Sequence, residues 1–325
     1  NYVDGTEARR PRTLWRPWRL AFAILCLGPL VSSAFGQTVY CNAAAPSGGD
    51  GSSWSLAFND LNTALSVAGS LANPSSHTNT AQVLVAEGDY YPGFQQVGTL
   101  PSQPEGLTFL VPRGVEVIGA FPKTGNPTSP DPLLARKTIL HGDFLSGGVA
   151  TRANNVVVCD PGSLPTSPGQ NFLQDVTRLK YFVITLGRAN GIPSVDGGGL
   201  FANPQQGEPK LNVRLENVVF TNNVAAGSGG AVFYSGDSTP VWLGVDQCFF
   251  VDNLAVLSGG GVWFGGLGSW ATDDFTGASW IYDSVFRGNF AGTGETTPVF
   301  ATQGGGAIYM GEFDNFPHIA NNLIV

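Results

Sequence analysis

The sequence predicts an all-β chain, a three-sided parallel β-helix with an amphipathic helix capping its N-terminal end. Three observations carry that expectation. A motif of Phe-x-x-Asn followed by a glycine run returns through the last third of the chain, at Phe220 to Asn223, Phe250 to Asn253 and Phe286 to Asn289. The glycine runs end at Gly199, Gly230, Gly261 and Gly306, a spacing of ~31 residues with one longer step, and a recurring interval of that size marks a repeat architecture. Each interval holds three short β-prone runs, such as 211–215, 218–220 and 231–234, separated by Asn- and Gly-rich corners that favour turns.

Composition agrees with an ordered solenoid. The 325 residues are 42% hydrophobic and 12% charged, with 44 Gly and 22 Pro, an apolar content too high for a disordered chain. A solenoid also accommodates this length without a domain break. The formal charge of −8 excludes electrostatic capture of nucleic acid or of an anionic lipid surface as the main activity.

Taken in order, the chain opens with Arg9, Arg10, Arg12, Arg16 and Arg19 ahead of an apolar run, 20–31, and the small residues Ser32, Ser33, Ala34 and Gly36. That pattern predicts an upstream leader and secretory signal peptide over 1–36, cleaved after Ala34 or Gly36. The apolar run is too short to span a bilayer and contains Gly28 and Pro29. Cys26 is preceded by Leu25, too large for the residue before a lipidated cysteine. The chain begins at Asn1, and its one methionine is Met310, which points to a fragment or an early-opened frame.

Residues 37–70 form the second element. Thr38 to Asn42 has strand composition, and Gly48 to Ser53 forms a turn that lacks the lysine of a phosphate-binding loop. Trp54, Ala57, Phe58, Leu61, Ala64, Leu65 and Ala68 recur at helical spacing, with Ser52 or Ser53 as N-cap and Gly69 as stop. A helix here would cover the apolar end of the first coil. Residues 71–325 are the β-helix. Its early strands are expected at 82–86, 107–111, 115–118, 138–140, 156–159 and 179–185, and the Pro-rich stretches 101–104, 122–132 and 161–168 leave the corners as loops. Loops on such irregular coils are where solenoids place binding surfaces. The chain ends on 318–325, which starts another coil with Val325 at the Phe220 position, so further coils and an anchor or barrel are expected beyond it.

Stacking the repeats places Phe220, Phe250 and Phe286 in one column of the core and Asn223, Asn253 and Asn289 in an amide ladder at a corner. The pairing of Phe-x-x-Asn with Gly-Gly-Ala-aliphatic, as in Gly229 to Val232 and its variant at Gly305 to Ile308, resembles the chlamydial polymorphic outer-membrane protein repeats and related bacterial β-helix surface proteins. The resemblance covers about the last third of the chain. It implies a right-handed helix and a secreted or outer-membrane surface protein, a non-enzymatic adhesin, passenger or envelope component. Extracellular polysaccharide or a host or neighbouring cell surface would then be its partner, met by a monomer with no membrane span in the mature region.

The alternative is a carbohydrate-active enzyme, a polysaccharide lyase or glycoside hydrolase, or a sugar-binding module. Its candidate chemistry is the corner column Glu216, Asp246 and, with a one-residue slip, Asp283. Two carboxylates on adjacent coils stand close enough for a retaining glycosidase pair or for calcium held by Glu216 and Asp246. Solvated acids splayed apart are the plain structural reading of the same residues. Known β-helix lyases pair acidic calcium ligands with an arginine or lysine base. The nearest arrangement here is Arg214 beside Glu216, with Arg287 further off, and neither matches a lyase motif. No cofactor other than calcium is implied. A second candidate is an aromatic column of Phe233, Phe264 and Tyr309, near Trp242, Trp263, Trp270 and Trp280, which stacks sugars if Val232 and Ile308 point inward and is core if they do not. His77, His141 and His318 are scattered, without metal-ligand spacing. Cys248 falls inside a strand as a buried thiol, and a bridge between Cys41 and Cys159 stays open.

Overall fold

A computed structural model describes residues 37–72, 81–96, 103–146, 149–160, 176–191, 194–204, 211–236, 242–266, 279–292, 305–311 and 318–325. The signal-peptide leader, Cys26, His77, Trp270 and the expected loop 161–168 lie outside them.

The chain is a parallel β-helix of three long faces. Face one stacks eight parallel strands, from Thr38–Cys41 through Ala81–Ala86, Val115–Phe121, Val176–Lys180, Asn212–Glu216, Leu243–Asp246 and Trp280–Tyr282 to His318–Ala320. Face two stacks seven, from Gly88–Tyr90 to Leu323–Ile324. Face three also has seven, from Phe94–Gln95, which alone joins antiparallel, to Ile308–Met310. Between faces two and three runs a ladder of two-residue strands, Arg188–Ala189, Val224–Ala225, Leu254–Ala255 and Phe290–Ala291. Three β-prone runs per repeat correctly give the three faces; the short ladder is an addition, too brief to register as a strand pattern.

Residue alternation explains the core. Along face one Val213, Leu215 and Val245 are fully buried while Arg214, Glu216 and Asp246 turn outward, the period of two that a strand imposes. On face two the inward column runs Tyr90, Leu140, Ile184, Phe220, Phe250, Phe286, Ile324. The Phe220, Phe250 and Phe286 rings stack at 5.3 and 4.5 Å, nearly coplanar. Ile324, not Val325, takes the end of that column.

The corner after face two is fixed by the expected amide ladder. Asn223 Nδ2 donates to Asn253 Oδ1 (3.1 Å) and Asn253 Nδ2 to Asn289 Oδ1 (2.9 Å), while each of the three also donates to a backbone carbonyl one coil up, at Ile184, Phe220 and Phe250. The rungs are 30 and 36 residues apart. Coil length therefore varies, and the even glycine spacing is corrected: Val232 pairs Val262, so Gly230 stacks on Gly260 rather than Gly261. At Gly230 an added Cβ would lie 2.4 Å from the Gly260 carbonyl oxygen, which is why that position stays glycine.

Two further expectations change, at the helix and at the run 179–185, and the open question of the cysteines closes. The helix is Leu61–Leu71, capped by Asp60, whose carboxylate accepts the Asn62 and Thr63 backbone N–H groups; Trp54–Leu56 is a separate 3₁₀ turn, and Gly69 lies within the helix. A side chain that accepts two amides outranks serines several residues upstream. Thr38–Cys41 is the first rung of face one, and Leu61, Ala64, Leu65 and Ala68 pack into the same core. The run 179–185 is two strands on two faces, broken at Tyr181, which adopts φ +63°. Cys41, Cys159 and Cys248 are all free and buried, so the first two form no bridge. Among the described residues no helix is long and apolar enough to cross a membrane.

Candidate functional site

The acidic column forms, but with two members. Glu216 and Asp246 are neighbours across face one, and the next residue in their column is Tyr282. Asp283 belongs to the following corner, where Asn217, Gln247 and Asp283 all take φ of +51 to +54°. The one-residue slip fails because the strand register continues unbroken through Tyr282.

Both acids are held by cations. Lys180 Nζ lies 3.0 Å from Glu216 and 3.2 Å from Glu116, and Arg214 reaches Glu216 through Nε and Asp246 through Nη2 at 3.2 Å. Trp280 Nε1 donates to the same Asp246 oxygen (3.2 Å), and the Arg214 guanidinium stands 5.8 Å over its ring. Burial disfavours the Lys180 ammonium, but the hydrogen bond it donates to Glu216 and the charges of Glu116 and Glu216 outweigh it and hold the pKa above its ordinary value. Glu116, Lys180, Glu216, Arg214 and Asp246 thus alternate in sign across four rungs. A cation reaching Glu216 and Asp246 would meet Lys180 and Arg214 already in place. Among the described residues no group of three or more His, Cys, Asp and Glu stands in a metal-binding arrangement. Arg287 sits on face two, away from this column.

The aromatic column exists with a different membership. Phe201, Phe233, Trp263 and Tyr309 are register partners with stacked rings 5.6, 4.4 and 6.3 Å apart. Phe264 instead follows Tyr234 and is buried in the core. Val232 and Val262 are fully buried, so the column lies on the outer side of face three; Phe233 is nonetheless largely covered, while Trp263 and Tyr309 are half-buried. Trp242 and Trp280 stack separately at 4.9 Å.

A concavity with mixed chemistry lies elsewhere, in the early coils. Where the later coils turn the corner after face two on asparagine, this coil sends out an antiparallel hairpin, Asp143–Ser146 with Val149–Arg152. Its base is closed by hydrogen bonds from Gly142 N to Thr185 O and from Ala153 N to Gly142 O, and the chain crosses so closely there that a Cβ on Gly142 would meet Leu186 and Gly187 backbone at 2.6 Å. Asn154 N donates to Glu105 O, anchoring the hairpin to the 3₁₀ turn Pro104–Gly106.

Hairpin and coil enclose an open groove of ≈ 1440 Å³. His141 stands in its wall with both ring nitrogens facing carboxylates, Nε2 2.9 Å from Asp89 and Nδ1 3.4 Å from Asp143. Tyr91 stacks on that imidazole at 5.2 Å and 17° and remains 51% exposed. Arg152 and Arg188 reach the same space from the hairpin and from the short ladder. Among the described residues neither arginine makes an ion pair. Residue-by-residue reading missed this site because its members come from separate coils. One local signal was available: Gly147-Gly148 between β-prone flanks is a two-residue hairpin signature.

Searches of curated proteins and of solved structures give no match. A family model does match within the regular coils, and its span holds the ladder residues Phe220, Asn223, Gly229 and Gly230 but none of the groove. Residues 217–235 are similar to the Chlamydia polymorphic membrane protein repeat.

Proposed function

We propose that this chain is a secreted or cell-surface β-helix that acts through contact rather than catalysis, as an adhesin, passenger or envelope component facing extracellular polysaccharide or another cell's surface. The observation that carries this reading is the state of the acidic column. Glu216 and Asp246, the acids best placed for glycoside or lyase chemistry, are clamped by Lys180 and Arg214, and a general acid or base engaged in that way lacks a free proton-transfer position. The match of 217–235 to a surface-protein repeat supports the location.

The test has two arms. Protease added to intact producing cells should degrade the chain, and purified protein should release no unsaturated product from acidic polysaccharides with or without calcium. Release that disappears in Glu216→Ala or Asp246→Ala overturns the reading in favour of an enzyme. Protection in intact cells overturns the location.

A second reading, a sugar-binding module, draws on the outward aromatic ladder of face three. Trp263 and Tyr309 are only half-buried there, so part of each stacked ring reaches the surface as aromatic area that a sugar can contact.

A further inference from the structure

We infer that the groove between the Asp143–Ser146 and Val149–Arg152 hairpin and the early coils is a binding subsite for an anionic saccharide, a pyranose chain bearing carboxylate or sulfate groups. The inference rests on the surface-binding reading above and assigns it a place and a ligand chemistry.

Four features converge on that ligand. The volume, ≈ 1440 Å³, exceeds what a single small molecule fills and suits several linked sugar rings. Tyr91 presents a half-exposed aromatic face at the groove, fixed by stacking on His141, so a sugar meets a platform whose orientation is already set. Arg152 and Arg188 are exposed guanidiniums aimed into one concavity on a chain of net charge −8. On face one, by contrast, Lys180 and Arg214 are each shared between two acids. Two arginines left free in a groove form planar forks for carboxylate or sulfate oxygens, a geometry lysine does not supply. Asn190 adds an amide for ring hydroxyls.

The groups facing the arginines set the selectivity. Glu105 and Asp143 also line the groove, and Asp89 and Asp143 flank His141. A densely charged polymer such as a polyphosphate or nucleic acid would be repelled by these acids, whereas one charge per sugar ring lets arginines pair while hydroxyls meet the carboxylates. The imidazole, with a carboxylate at each ring nitrogen, serves as a positioning residue for Tyr91.

The experiment is isothermal titration of the purified chain with a polygalacturonate hexasaccharide, with a neutral cellohexaose control and a single-stranded oligonucleotide of matched charge. Binding should favour the acidic hexasaccharide, weaken with added salt, and fall roughly tenfold in R152Q and in R188Q, with a larger loss in the double variant. Tyr91→Ala should weaken acidic and neutral sugars alike. All three residues are exposed, and an unchanged melting temperature separates lost binding from lost fold. Equal affinity for neutral and acidic sugars, preference for the oligonucleotide, no binding to any probe, or full binding by the double variant each overturns the inference. Turnover of the hexasaccharide that needs Glu216 would sink the contact reading while leaving the arginine dependence to decide the subsite separately.

Discussion

The regular coils, 211–291, and the early coils, 81–191, use one architecture to opposite ends. In the regular coils the polar residues face one another: Asn223, Asn253 and Asn289 close a ladder, Ser228 bonds Ser258 at 3.0 Å, and Arg214 joins Glu216 to Asp246. In the early coils the same core column is filled by Tyr90, Leu140 and Ile184 rather than stacked phenylalanines, and the asparagine corner is interrupted by a hairpin. At the junction Gly187 occupies the corner, and its N–H donates to Asn223, so the ladder stops one coil short of the groove. The lesson is that repetition saturates polar groups internally, and departure from repetition leaves them available to a ligand.

That contrast can be broken by substitution. The largest effect is expected from Phe250→Ala, which removes the middle ring of a fully buried stack and should destabilise by about 3–5 kcal/mol in chemical denaturation. Leu140→Ala, in the same column of the early coils, should cost less, about 2–4 kcal/mol, because Leu140 carries no ring to stack between its neighbours Tyr90 and Ile184. An equal loss would show that the ring stack contributes nothing beyond size. Next comes Asn253→Ala, which strips a buried amide of its bonds to Asn223, Asn289 and the Phe220 carbonyl; a loss of about 2–4 kcal/mol is expected from the partners left unpaired.

Smaller effects sharpen the comparison at its edges. Burial raises the pKa of the Asp60 carboxyl, but hydrogen bonds from Thr63 and Asn62 outweigh it and leave the value below 3.8. A depressed carboxylate stabilises the fold above its unfolded pKa and loses that contribution as pH falls through the folded value. Asp60→Ala should therefore remove about 1 kcal/mol at pH 7 and less below pH 3.8, seen as melting curves that converge in acid. Glu216→Ala should lower stability by about 1 kcal/mol, a difference that shrinks in high salt because the acid is partly exposed. Finally, burial pushes the Cys159 and Cys248 thiols up to about 12, so alkylating reagents at pH 8 should label neither until the chain is unfolded. Native labelling at Cys248 would mean the regular coils open more readily than their ladders imply.

The sequence disclosed what repeats. Phe220, Asn223 and Gly229 return in fixed order, so the faces, the core column and the corner ladder could be placed from spacing alone. Registers failed where a count could slip by one. Gly259, Gly260 and Gly261 precede Val262 and Trp263, and aligning Phe264 with Phe233 ignored that Val262 must sit over Val232. Asp283 was joined to Asp246 because both are acidic, yet left-handed corner residues such as Gln247 and Asp283 form their own column. The groove was not legible, since Tyr91, His141, Arg152 and Arg188 meet only after three coils have stacked.

The direction of the corner amides has a further consequence. Asn253 Oδ1 accepts both the backbone N–H and the side-chain amide of Asn223, so each coil completes the valences of the one before it and waits for the next to complete its own. A single coil is thus an unfinished object. Assembly should proceed as a moving front, each finished rung templating its successor, and damage to one rung should be felt first by its immediate neighbours rather than by the molecule as a whole.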